Sequence, residues 1–184
     1  MADDDAPVET ETTANDGKSE GAGAAAAPGL VVNAQYLKDL SFENPRAPHV
    51  LANLQTPPSV QVNVDVSAER LGEEVFEVSL KIRGEATKDE ETVFMVESVF
   101  GGVFTVTGAP PETLRPILLI EAPRLLFPFA RAIVADATRN GGYPPLLVNP
   151  VDFVDLYRRR MAAEQAAKSE PSADTGDTAK PALN

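Results

Sequence analysis

The chain has 184 residues, a formal net charge of −12, one histidine, no cysteine and no tryptophan. Without cysteine there is no disulfide or thiolate chemistry, and a single histidine supplies neither a zinc site nor most catalytic constellations. Binding to a phosphate backbone needs clustered Lys and Arg, so with this acid excess no nucleic acid is expected as a partner.

The first 30 residues carry Asp3, Asp4, Asp5, Glu9, Glu11, Asp16 and Glu20 against Lys18, followed by the tract GAGAAAAPG. So few large apolar side chains cannot offset the entropy of ordering, and residues 1–30 read as a disordered acidic tail. Residues 165–184, QAAKSEPSADTGDTAKPALN, read the same way. Residues 31–164 are left as one domain, long enough to bury a core. The start MADDD lacks the basic opening of a signal peptide, and no apolar run approaches the roughly 18 residues of a membrane span. A cytoplasmic protein with no direct membrane insertion is the expectation.

Strand patterns fill the first two thirds. Val31 to Phe42 reads as an irregular strand. The stretch ENPRAPHVLANLQTPP follows, with four prolines and no helical period; a loop this long is often functional, and its Val50, Leu51 and Leu54 need cover. Val60, Val62, Val64 and Val66 then alternate with Gln61, Asn63, Asp65 and Ser67. In the next strand Phe76, Val78, Leu80 and Ile82 share one face, with Glu77, Ser79, Lys81 and Arg83 on the other. A turn around Lys88 to Glu90 leads into residues 91–107. There Phe94, Val96, Ser98 and Phe100 oppose Val93, Met95, Glu97 and Val99. Sequential strands separated by turns predict an antiparallel sheet. Gly101-Gly102 marks a bulge, a bend or a close approach. A phosphate-binding turn would lead into a helix, whereas Val103 and Phe104 follow here.

Helices come next. APPETLRPILLIEAP predicts one short helix, with Pro123 in the first turn of another. In the second, Leu125, Leu126, Phe129, Ala130, Ile133, Val134 and Ala137 form a stripe at helical spacing. Pro128 predicts a later start or a kink, and Gly141-Gly142 a stop. Asn149 is the expected cap of a last helix, with Pro150 at its first position and Asp152 in its first turn. Its apolar face carries Phe153, Val154, Tyr157 and Met161, and Arg158, Arg159 and Arg160 are placed in its last turns, where cations complement the dipole.

No chemistry emerges from this inventory. His49 lies in the proline-rich loop, with no strand-turn-helix nucleophile signature anywhere. Glu73-Glu74 and Glu90-Glu91 are adjacent pairs, and adjacent strand residues point to opposite faces. No Walker or dinucleotide fingerprint occurs. No catalytic residue, metal ligand or cofactor is assigned, and the reading is of a protein that binds.

The strings SFENPRAPHV, FEVSLKI, GGVF, LLFPFAR and NGGYPPLLVNPVDF occur in this order between Tyr36 and Tyr157. Each alone is weak; together, at these spacings, they resemble SecB, the bacterial protein-export chaperones. The resemblance implies an α+β fold: a four-stranded antiparallel sheet with helices packed on one face, assembled as a homotetramer, a dimer of dimers. It implies binding of unfolded precursor proteins, which are kept translocation-competent and handed to SecA, without a cofactor. By the same resemblance, Asp39, Glu43, Met95 and Glu97 match SecA-contacting positions. Phe94, Val96, Ser98 and Phe100 match positions of the oligomer and substrate surface, joined by Leu51 and Leu54 from the crossing loop. Where relatives carry a loop tryptophan this chain has Leu54 and Gln55. Two other readings stand beside this one: a SecB-like chaperone dedicated to a toxin-antitoxin pair, and a small-ligand-binding sheet-and-helix protein.

Overall fold

The computed structural model describes residues 28–53 and 56–169. Apart from residues 28–30 and 165–169, both expected tails lie outside the described residues, as does Leu54. The alternating stretches become four strands: β1 (Gly29–Glu43), β2 (Ser59–Arg70), β3 (Val75–Lys88) and β4 (Glu91–Thr107). They form one antiparallel sheet in the order β1-β4-β3-β2. Residues 44–58 therefore link strands on opposite edges, and include a short 3-10 turn, His49–Asn53, that the sequence pattern did not signal. The β3–β4 hairpin turns at Asp89 and Glu90, with φ of 53° and 64°, the primed geometry that matches strand twist.

One face of the sheet is the core. Val78, Leu80, Ile82, Val96 and Phe104 are fully shielded from solvent. β4 runs unbroken through Gly101-Gly102. The glycines serve a close approach, as expected, but by side chains: a Cβ at Gly101 would lie 2.9 Å from the Tyr36 ring. Bulges lie instead in β1, where Asn33 and Lys38 are the extra residues opposite β4, and near the start of β4. There Val93 is the extra residue opposite β3 and is fully buried rather than set opposite Phe94 on the polar face.

Residues 111–140 form one unbroken helical run rather than two separate helices. α1 (Pro111–Pro116) passes through a π turn (Ile117–Glu121) into α2 (Ala122–Asn140). Pro116, Pro123 and Pro128 each withhold a backbone donor from this run, and the π turn lies between the first two. Within the turn the Ala122 N–H donates to Ile117, five residues back. The run ends at Gly141, and Gly142 takes a φ of 89°, where a Cβ is strained.

The helix stripe is wider than the surface it covers. Leu126, Ala130 and Val134 are fully buried against the sheet, whereas Leu125 and Phe129 remain 43% and 51% exposed.

The last helix, α3 (Phe153–Ser169), departs from expectation in three ways. Asp152, not Asn149, is the cap: its Oδ1 accepts from the Val154 N–H at 3.0 Å and the Asp155 N–H at 3.1 Å. Residues 165–169, assigned to the tail, are helical, and so Arg158, Arg159 and Arg160 stand in the first half of the helix rather than its last turns. There Arg159 pairs with Asp155, and Arg160 donates to the Val66 carbonyl and pairs with Glu164 at 3.2 Å.

Two buried hydroxyls meet opposite fates. Thr138 Oγ1 accepts from the Leu146 N–H at 2.9 Å and donates back into the last turn of α2, fastening the chain after the helix. Ser98 Oγ is buried with no hydrogen-bond partner among the described residues. Thr138→Val therefore strands the Leu146 donor and should cost about 1–3 kcal/mol, while Ser98→Ala should be neutral or slightly stabilising. Urea denaturation of both variants measures the contrast.

Candidate binding surfaces

A single helix is about 10 Å across, and four strands at roughly 4.8 Å spacing make a wider layer. α2 packs chiefly over β3 and β4, which leaves part of the inner face open on each edge strand, although Phe42 of β1 and Val66 of β2 are covered. Beside β2, the chain after α2 returns in extended form and encloses two adjoining cavities. The first, about 260 Å³, is lined by Pro57, Pro58, Val60, Phe94, Tyr143 and Leu146, among others. The second, about 350 Å³, continues past Val60 and Leu146 along Val62, Val64, Leu147 and Val148. Val62 is 41% exposed and Leu147 61%. The result is an apolar trough along an edge strand.

Aromatic packing closes one end of this trough. The Tyr143 ring lies 4.6 Å from that of Phe94, which stacks on Phe42 at 5.9 Å. Burial pushes the Tyr143 phenol up, and its hydroxyl donates to Asn44 Oδ1 at 2.7 Å. Asn44 Nδ2 donates in turn to the Gly141 carbonyl at 3.2 Å, tying the crossing segment to the end of α2.

On the β1 side the inner face is apolar and open. Leu37 and Leu40 are 45% and 42% exposed. Leu37 lies opposite Phe100, whose ring stacks on Phe129 of α2 at 5.9 Å. Leu37, Leu40, Leu125 and Phe129 thus form exposed apolar surface along a 15-residue edge strand.

The outer face is polar. Glu43 lies opposite Met95, Ser41 opposite Glu97 and Asp39 opposite Val99, so Asp39, Glu43, Met95 and Glu97 share it. Asp39 and Glu43 are exposed and meet no ion-pair partner among the described residues. Glu97 differs: Lys81 Nζ lies at 2.7 Å and Arg83 Nη1 at 3.8 Å, so bases on β3 offset its charge. The face is therefore mixed rather than uniformly acidic, because strands carrying Lys and Arg run beside strands carrying Asp and Glu.

Of the described residues assigned to the substrate and oligomer surface, Phe94 lines the trough. Val96, Ser98 and Phe100 lie buried under α2, at 0%, 0% and 7% exposure. They form protomer core rather than open surface, as their period-two alternation alone would indicate. Leu51 packs near Gly142 rather than lining the trough. The wall formed by Tyr143, Leu146 and Leu147 went unassigned in the sequence; PPLL between two turn-formers was the available signal.

A second polar cluster on the outer face also escaped notice. Glu77, 9% exposed, accepts from the Tyr36 hydroxyl and, through both oxygens, from Lys38 Nζ at 2.9 Å. These bonds, Tyr36 first and Lys38 second, hold its carboxyl below the ordinary 4.5. A carboxyl depressed on folding stabilises the fold above its unfolded pKa, and that contribution is lost as pH falls through the folded value. Glu77→Gln should therefore flatten the decline in melting temperature below about pH 4.5, the ordinary carboxylate range. Thermal melts between about pH 6 and 3 provide the test.

Surfaces of this kind, an apolar trough and an open apolar edge around a sheet, are those of a binding protein. The family model for "Preprotein translocase subunit SecB" matches residues 23–164. The protein-export protein SecB of Mesorhizobium japonicum is 48% identical over 167 residues, covering 90% of this chain and 95% of that one. That of Rhodospirillum centenum is 54% identical over 155 residues, covering 83% and 92%. Among solved structures, a SecB-like chaperone of Mycobacterium tuberculosis, in complex with a peptide from the HigA1 antitoxin, superposes with a TM-score of 0.52 at 17% identity, covering 66% of this chain and 90% of that one. It shares the fold. The chain belongs to the SecB family of protein-export chaperones of the Sec pathway, which are not enzymes. Among the described residues no helix is long and apolar enough to cross a membrane.

Proposed function

We propose that this protein acts in the cytoplasm, holds unfolded precursor proteins in the trough along β2, and delivers them to SecA. The observation that carries this reading is the continuity of the two cavities through Val60 and Leu146, with walls lined mostly by apolar side chains. Burying apolar client surface there yields ~25 cal/mol per Å². β2 is an edge strand, so its outward backbone groups are placed to meet an extended chain as a further strand would. A native protein offers little extended apolar chain with unpaired backbone, so slow-folding chains are selected without nucleotide. Replacing Val62 and Leu147 with Ser should weaken capture of a denatured precursor severalfold, with little change in melting temperature because both side chains are exposed. A refolding assay without nucleotide measures it; full capture by the variant, or equal binding of native proteins, overturns the reading.

The working form we propose is a homotetramer, a dimer of dimers, whose partner subunits cover Leu37, Leu40, Leu125 and Phe129. Several troughs on one particle convert weak contacts into avidity. Light scattering should give four times the chain mass, and Leu37→Asp with Leu40→Asp should reduce it, since a carboxylate without a partner is costly to bury. A wild-type monomer at micromolar concentration sinks the assembly. SecA docks, in this reading, on the outer face at Asp39, Glu43, Met95 and Glu97 through basic groups.

A further inference from the structure

Whether the docking acids face outward is decided by one residue. Leu37 lies opposite Phe100 and Asp39 opposite Val99, which leaves Lys38 as the extra residue of a bulge. Were Lys38 paired with Val99, Asp39 would fall opposite Ser98 and point toward α2, because a one-residue slip exchanges the faces of a strand. The bulge keeps Asp39, Ser41 and Glu43 on the same side as Met95 and Glu97.

The two residues flanking Leu37 reach across β4 to one carboxylate. Lys38 Nζ lies 2.9 Å from both oxygens of Glu77, and the Tyr36 hydroxyl donates to Oε1 of the same group. Glu77 belongs to β3, a central strand, and is nine-tenths buried. The Tyr36 ring takes this path over Gly101, where a Cβ would stand 2.9 Å from Tyr36 Cε2. The other bulge of β1 is pinned alike: the extra residue, Asn33, donates through Nδ2 to Thr105 Oγ1 at 2.7 Å. In both cases the extra residue's own side chain fixes the irregularity to another strand, β4 for Asn33 and β3 for Lys38.

We propose that Tyr36, Lys38 and Glu77 are positioning residues of the outer docking face, a strap that holds the β1 bulge and so fixes the outward register of Asp39 and Glu43 for a basic partner surface. The inference rests on the reading of that face as the SecA-docking surface. It makes a prediction of unusual sign for Lys38→Met. By charge alone, removing a cation from the face should tighten binding to a basic surface. A strap that sets register requires weaker binding.

The experiment titrates SecA into the full-length chain and into Lys38→Met, Tyr36→Phe and the double variant Asp39→Lys with Glu43→Lys, with melting temperature and amide exchange recorded for each. Tyr36→Phe keeps the ring over Gly101 and removes only the hydroxyl, so it tests the strap in an undisturbed fold. Lys38→Met and Tyr36→Phe are expected to lose roughly three- to tenfold in affinity, with faster exchange confined to Leu37–Leu40 and unchanged client capture. The double variant should lose tenfold or more without faster exchange. Tight binding by Lys38→Met and Tyr36→Phe, beside failure of the double variant, overturns the strap and leaves the docking face standing. Wild-type affinity in the double variant overturns the docking face and the strap with it.

Discussion

One helix lies on a sheet too wide for it, and most of this protein's behaviour follows from that mismatch. α2 covers the central strands with Leu126, Ala130 and Val134, so the protomer core is complete where β3 and β4 run. The flanks of the same face are not. Beside β1, Leu37, Leu40 and Phe129 remain exposed; beside β2, the extended segment after α2 closes over Val64 and Val148 but leaves Val62 and Leu147 open. Under the proposed reading a second copy of the chain covers the first flank and an extended, replaceable client fills the second. Incomplete coverage that would mark an aggregation hazard in an ordinary domain is, on that reading, the means of binding.

What the sequence made legible was most of what short-range period governs. The pairing of Phe76, Val78, Leu80 and Ile82 with one face, and the alternation of β4 from Phe94 onward, carry over to the structure because each side chain's face follows parity, whereas Val93, read as facing away from Phe94, is the extra residue of a bulge and fully buried. The helix stripe was legible for the same reason. Less so was what depends on pairing at a distance. The bulges at Asn33 and Lys38 have no local signature, since an extra residue is defined only against β4. Nor could periodicity distinguish which half of the α2 stripe meets the sheet, because Leu125 and Leu126 are equally apolar and differ only in angle. The unbroken helical run through three prolines ran against the usual breaking effect; a π turn absorbs part of the cost by shifting the bonding pattern. The cap at Asp152 was hidden by a stronger nominal signal at Asn149-Pro150.

The candidate site was legible unevenly for a related reason. Asp39, Glu43, Met95 and Glu97 share one face of the sheet. Their electrostatics could not be read without β3, whose Lys81 and Arg83 flank Glu97. The far wall of the trough was missed because it depends on tertiary closure: Phe94, core by its alternation and assigned to the substrate surface only by resemblance, floors a cavity once Tyr143 packs against it.

β4 brings the two surfaces within one residue of each other. Phe94 reaches the trough on the inner face, while its neighbour Met95 stands outside between Glu43 on β1 and Glu85 on β3. A strand's alternation thus separates client from motor by the thickness of a single layer. Under the proposed reading the two ligands do not compete for side chains, so a ternary complex is sterically open and handover can proceed without a free client. The forces differ as well. Capture in an apolar trough depends weakly on salt, whereas docking on exposed acids is screened over about 8–10 Å at ordinary ionic strength. Release from the motor can then be governed by charge while retention of the client is governed by burial, two controls that a single mixed surface would not keep apart.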